Sequence, residues 1–225
     1  MDNQPRSLPD FSIELQCSEE GHCIVGGVDE AGRGALAGPL AVALVVYPRY
    51  IFTSFEEDLT CINDSKKISR HKRPRVLEII KKHALWYDCV FVSPEVIDTQ
   101  NINRATEMGI HLLIERAQKG LDFIILDGTF KFSLPLPCLS LKGGDGISLS
   151  VASASVLAKV WRDELVAAYD TLYPGYKFGE HMGYGTLAHR RVLAEYGPTP
   201  VHRKSYEPVA SMLQYPVTLF DHENK

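Results

Sequence analysis

The chain has 225 residues, 45% hydrophobic and 23% charged, with 24 Lys/Arg against 28 Asp/Glu and a formal charge of −4. That size suits one domain, or one domain with a helical appendage, and the composition is enough to build a buried core. The acidic balance excludes a protein that coats nucleic acid by net charge, and no apolar run approaches the roughly 20 residues of a membrane span.

In chain order, residues 1–22 are polar and are expected to form an irregular arm. Residues 24–28 read as a strand, and Leu36 to Tyr47 as a second, buried one entered through Gly38-Pro39. A loop runs to about residue 70, helical periodicity follows over 72–85, and 86–92 read as a strand. Ser93-Pro94 opens a short helix, and a longer one runs from about Ile102 to Lys119, closed by Gly120. Residues 122–127 form another buried strand, and a Pro-rich link leads to a short strand near 138–141. From about Ser148 to Tyr169 the chain is helical and crowded with Ser and Ala, as for a helix lying close against a sheet. Helices are also expected around 186–196 and 207–214, after a loop beginning at Tyr173. Strands first and helices interleaved later predict a mixed α/β sheet covered by helices. Five scattered cysteines without a Cys-x-x-Cys pair, and an N-terminus lacking a secretory core, point to reduced thiols in a cytoplasmic protein and argue against structural zinc.

The chemistry concentrates at strand ends. The first strand runs into Asp29-Glu30 and then Gly32-Arg33-Gly34. Adjacent carboxylates repel unless a cation lies between them, and Mg²⁺ or a similar hard ion suits oxygen ligands. Glycines on both sides of Arg33 leave backbone amides uncovered for a phosphate or sugar edge. A solvated turn is the plain alternative. Asp127 ends another strand, and Lys142-Gly143-Gly144-Asp145-Gly146 presents a fourth acid in a glycine-rich turn. Ligands of α/β folds sit at carboxyl ends of strands. Four such acids supply what two Mg²⁺ or Mn²⁺ ions need to clamp the attacking water and the leaving oxygen of an in-line displacement. Residues 64–73 also carry five Lys/Arg, which on its own reads as a solvated helix start.

The segments GGVDEAGRGALAGPLAVALVV, NDSKKIS, NINRATEMG, ILDG, KGGDGISLSVASASVLAKVWRD, HMGYGT and YGPTPVHRKSYEPV resemble, in order and spacing, the successive motifs of ribonuclease HII. The resemblance covers about residues 24–210. It implies a ribonuclease H-like mixed β-sheet flanked by helices: a catalytic core over 23–170, a C-terminal helical extension of the same domain over 171–213, and a tail over 214–225. The implied activity is two-metal hydrolysis of the RNA strand of RNA–DNA hybrids. It extends to incision 5′ of ribonucleotides embedded in duplex DNA, leaving 3′-hydroxyl and 5′-phosphate ends. The resemblance makes Asp29, Glu30, Asp127 and Asp145 the metal-binding catalytic acids for two Mg²⁺ or Mn²⁺ ions. It makes Gly32, Arg33 and Gly34 the reader of the ribose 2′-hydroxyl, and Tyr184 the tyrosine stacked beside the scissile junction. Without it, Tyr184 is an ordinary loop aromatic. Lys66, Arg203 and Lys204 become phosphate contacts that position the duplex.

Three positions depart from the family pattern: a second glycine precedes the fourth acid at Gly143-Gly144, Met182 stands where lysine is usual, and Ala35 replaces a common proline. Asp163 is left outside the primary site because an (i, i+4) pair with Lys159 accounts for it. His181 and His202 are not assigned as bases. The stretch 214–220 of the polar tail ends in an apolar Leu219-Phe220, which is expected to pack back on the domain and also loosely resembles sliding-clamp peptides. A ribonuclease H-fold DNA nuclease and a non-catalytic hybrid-binding module are the rival functions. An embedded ribonucleotide separates the first, and an Asp29→Asn variant the second.

Overall fold

The apolar runs assemble into one five-stranded sheet in a computed structural model that describes residues 8–54, 56–117 and 120–214. The strands are β1 (Val25–Ala31), β2 (Leu40–Val46), β3 (Trp86–Val92), β4 (Phe123–Asp127) and β5 (Cys138–Leu141), ordered β3-β2-β1-β4-β5. β1 and β2 are antiparallel, pairing Gly26 with Val46 and Glu30 with Val42, whereas β4 runs parallel to both β1 and β5. β2 is buried at every residue, which explains its continuous apolar run in place of an alternating one.

The described residues divide into two compact units, the first built from those within 1–31, 41–91 and 106–161. Its helices are α1 (Ser12–Glu19), α2 (Arg73–His83), the later part of α3 (Pro94–Arg116) and the start of α4 (Leu149–Leu172). The small residues of α4 lie directly on the sheet: a Cβ on Gly27 would sit 2.2 Å from the Ser150 backbone. Ala152, Val156 and Leu157 of that helix share one apolar core with Ala43 and Val45 of β2 and Ile80 of α2.

Within the irregular arm expected over residues 1–22, of which 1–7 lie outside the described residues, Ser12–Glu19 instead form α1, which is docked on the start of α4. Leu149 N donates to Asp10 O at 2.8 Å, and the buried Glu14 accepts from Ser148 Oγ at 2.6 Å and Ser150 N at 2.9 Å. No apolar periodicity announces this helix, because what it buries is Glu14, Cys17 and Ser18.

The second unit comprises residues 32–40, 92–105 and the described part of 162–225. It contains the rest of α4, then α5 (Phe178–His181), α6 (Leu187–Tyr196) and α7 (Val209–Gln214). Residues 36–39, expected to begin the second strand, form a loop. Leu36 N and Ala37 N donate to Gly183 O at 2.8 and 3.2 Å, and Gly38 N donates to Val201 O at 2.9 Å. Their apolar side chains serve this unit, Leu36 beside Leu193 and Val209, Ala37 beside Val166 and Phe178. α5 falls where a loop was expected. α3 is broken at Asn101 (φ 65°, ψ 165°). Asn101 Oδ1 accepts the N–H groups of Asn103 and Arg104 at 3.0 and 3.1 Å and so caps a second helical segment. Among the described residues no helix is long and apolar enough to cross a membrane.

Candidate active site

Parallel pairing sets Val28 of β1 beside Leu126 of β4, so Asp29 and Asp127 come next as neighbours at the end of that ladder. Asp127 in turn pairs with Leu141 of β5. Beyond β5 the chain turns at Gly143 (φ 72°) into a 3₁₀ turn over Gly144–Gly146. Asp127 Oδ1 accepts the Gly144 N–H at 2.7 Å, which draws the turn, and Asp145 with it, to the strand ends. Carboxylate oxygens of Asp29, Asp127 and Asp145 consequently all lie within 4.8 Å of one another. The added glycine therefore leaves Asp145 within reach of the other acids. Glu30, next along the strand and half-buried, lies outside this group of three, as does Asp163.

The arrangement is electrostatically costly. Burial, then the charges of Glu30 and Asp127, push the Asp29 carboxyl well above the usual aspartate range. Burial, Asp64 and Asp127 raise Asp145 in the same way. Lys66 Nζ, on an exposed side chain, stands 4.0 Å from Asp145 Oδ2. Burial works against its ammonium, but Asp64, Asp145, Asp29 and Asp127 together hold it above the ordinary lysine value. An all-oxygen, mutually repelling donor set fits hard divalent cations.

Neighbouring polar groups hold the acids in place. Asp29 Oδ1 accepts the Glu30 N–H at 2.7 Å, and its carboxylate is also hydrogen-bonded to Ser155 of α4. Ser155 Oγ in turn lies in hydrogen-bond contact with Ser65 Oγ at 3.0 Å. Asp64 Oδ1 accepts the Lys66 N–H at 2.9 Å and the same side chain contacts Asp145. Sequence reasoning misses Asp64, Ser65 and Ser155. The first two lie beside Lys66, the one signal that could have found them, and nothing in the spacing marks Ser155.

The glycine-flanked Arg33 belongs to the second unit, where two buried arginines staple its loop. Arg162 donates from Nε to Pro39 O at 2.9 Å, from Nη1 to Met182 O at 2.9 Å and from Nη2 to Ala37 O at 3.0 Å. Gly32 (φ 96°) passes so close that a Cβ would lie 2.0 Å from Arg162 Nε. Arg203 donates from Nη1 to Arg33 O at 2.8 Å and from Nε and Nη2 to Gly38 O at 3.2 and 3.1 Å. Tyr206 Oη also donates to Arg33 O, at 2.9 Å. The reading of Arg203 as a phosphate contact is therefore corrected: its side chain is 0% exposed and committed to backbone carbonyls. Burial lowers its pKa only to about 10, so it stays cationic.

Arg33 itself is half-buried and donates from Nη2 to Asn103 Oδ1 at 2.6 Å, while Gly34 is exposed. Lys204 is exposed with its N–H on Asp98 Oδ2 at 2.9 Å. Tyr184 is half-buried, its ring 5.2 Å from the Arg162 guanidinium. Met182 is buried and its carbonyl serves Arg162.

Known proteins share both this sequence pattern and this fold. A sequence profile described as Ribonuclease HII matches residues 26–209. The Ribonuclease HII of Syntrophotalea carbinolica is 42% identical over 201 residues, covering 89% of this chain and 93% of its own. The ribonuclease H2 structure from Pyrococcus horikoshii matches with a TM-score of 0.70 at 21% identity, covering 85% of this chain and 97% of that one. RNase HII in the PCNA:RNase HII complex from Archaeoglobus fulgidus matches with a TM-score of 0.67 at 25% identity, covering 82% and 95%.

Proposed function

Because the chain belongs to the ribonuclease HII family, we propose that Asp29, Asp127 and Asp145, with Glu30 beside them, hold the divalent ions with which it works. It is a ribonuclease H endonuclease that hydrolyses the RNA strand of RNA–DNA hybrids. The convergence of the Asp29, Asp127 and Asp145 carboxylates within 4.8 Å carries the site assignment. Two bound Mg²⁺ or Mn²⁺ ions would supply water activation and stabilisation of the leaving 3′ oxygen.

The chain's own residues supply the rest. Asp127 and Gly144 fix the turn that carries Asp145. Lys66, exposed at the edge of the acid cluster, is available to a substrate phosphate, and exposed Lys204 is a second backbone contact. Neither reads sequence. The stapled Gly32-Arg33-Gly34 loop presents main-chain groups to the ribose 2′-hydroxyl, the group that separates RNA from DNA, and Tyr184 packs against the nucleotide at the cut.

Cleavage falls 5′ of a ribonucleotide and leaves 3′-hydroxyl and 5′-phosphate ends. Two end-labelled duplexes, identical except for one embedded ribonucleotide, test this in Mg²⁺ and in Mn²⁺. Cutting confined to the ribonucleotide-containing duplex supports the reading, and equal cutting of both makes the protein a DNA nuclease on the same fold.

The tail over 214–225, all but Gln214 outside the described residues, is our candidate contact with a sliding clamp. The Archaeoglobus fulgidus relative was solved in complex with PCNA. Deleting 214–225 without loss of clamp binding would dispose of this contact.

A further inference from the structure

Three histidines of the second unit are buried, His181 at 6%, His189 at 0% and His202 at 1% exposure. The cleavage chemistry uses none of them. A neutral imidazole has one donor and one acceptor nitrogen, and the contacts here determine which is which. The Thr199 N–H can only donate, and it meets His202 Nδ1 at 2.9 Å, so the His202 proton is on Nε2. His202 Nε2 is 3.0 Å from His189 Nε2, which must therefore accept, leaving the His189 proton on Nδ1. His189 Nδ1 donates to the Tyr184 carbonyl at 3.0 Å. The third ring is fixed independently. The Gly183 N–H meets His181 Nδ1 at 3.2 Å, so His181 Nε2 carries the proton and donates to Tyr176 O at 2.9 Å.

The main chain of Tyr184 is the point where these contacts meet. Its N–H donates to His181 O at 2.9 Å, and its carbonyl accepts from His189. The preceding carbonyl, of Gly183, accepts from Leu36 N and Ala37 N. The His181 and His189 rings stack at 4.0 Å with an interplanar angle of 11°. A second proton on any ring would face another N–H. Burial accordingly lowers all three pKa values, to about 4 for His189 and His202.

We infer that His202 and His189, backed by His181, form a fixed-tautomer relay that sets the main-chain position of Tyr184, making them positioning residues for ribonucleotide recognition. This rests on the reading that Tyr184 packs at the scissile nucleotide, and the test separates the two. In His189→Asn the amide Nδ2–H stands where Nδ1–H did and keeps the bond to Tyr184 O, whereas His189→Leu removes it. On the single-ribonucleotide duplex, His189→Leu should lower kcat by about 10-fold or more, as a misplaced positioning group does, with KM little changed. His189→Asn should recover most of that loss.

In a Tyr184→Ala background the His189→Leu effect should vanish. If Tyr184→Ala alone leaves kcat unchanged, the Tyr184 reading fails and the relay has nothing to position. If Tyr184→Ala lowers kcat while His189→Leu does so additively, or not at all, the relay is overturned and Tyr184 stands. Imidazole ¹⁵N spectra at neutral pH give a check independent of activity. Acceptor nitrogens should be Nε2 of His189 and Nδ1 of His181 and His202, and any other assignment contradicts the relay.

Discussion

Replacing Asp29 by Asn should make the metal-free protein more stable while destroying its activity. Asp29 is buried and its oxygen lies within 4.8 Å of those of Asp127 and Asp145. At an effective dielectric near 20, two charges at that distance repel by about 3 kcal/mol. Proton uptake relieves part of this, since burial and its charged neighbours already push the Asp29 carboxyl well up. A net gain of about 1–2 kcal/mol at pH 8 is therefore expected, worth about 2–4 °C per kcal/mol for a chain of this length. The amide still accepts the Glu30 N–H, so that hydrogen bond survives the change.

The assay is thermal unfolding in a chelator and again in excess Mg²⁺, beside cleavage of an RNA–DNA hybrid. The wild type should rise on adding Mg²⁺, by about 3 kcal/mol when the ion is at 100 times its Kd. The Asp29→Asn variant should not, and its cleavage rate should fall at least about 100-fold, beyond what loss of an outer-shell metal partner costs. A chelated variant no more stable than wild type would refute the reasoning, because Asp29 would then be a satisfied structural group and not part of a repelling cation site.

Other substitutions probe the supports. Gly32→Ala forces a Cβ to 2.0 Å from Arg162 Nε at a φ of 96°; cleavage should collapse and stability fall by about 2 kcal/mol or more in denaturant melts. Arg203→Leu leaves the Arg33 and Gly38 carbonyls without its guanidinium donors and should cost about 3 kcal/mol; a variant that melts like wild type but binds hybrid weakly would restore Arg203 as a phosphate contact. Glu14 is held above its ordinary pKa by burial, against opposing hydrogen bonds from Ser148 and Ser150. A raised folded-state pKa gives stability that is complete below the unfolded value and lost as pH rises through the folded one. Melting of Glu14→Gln should therefore lack this decline, and the gap between variant and wild type should widen in its favour as pH rises above the ordinary glutamate range.

How much the sequence reveals depends on how local each signal is. Buried strands that run into Asp29 and Asp127 are visible because a continuous apolar run broken by a carboxylate needs no partner to be noticed. The two segments of α3 are separable because Asn101 interrupts the pattern and caps the second of them. α1 is not visible, since its buried Glu14 makes sense only once Ser148 and Ser150 are opposite it. Leu36 and Ala37 mislead in the other direction: apolar enough for a strand, they fill a different core after Gly38 and Pro39 break the run. Arg203 looks like a surface cation because its cage of carbonyls comes from Arg33 and Gly38, far earlier in the chain. Asp145 can be named from its motif, but its proximity to Asp29 depends on the Asp127–Gly144 hydrogen bond.

The central claim is that Asp29, Asp127 and Asp145 form the catalytic metal centre. Its most direct test is an anomalous-scattering map of crystals equilibrated with Mn²⁺. The expected result is a manganese peak ligated by these three carboxylates that is lost in Asp29→Asn crystals. Manganese bound elsewhere, with cleavage still dependent on it, would contradict the claim.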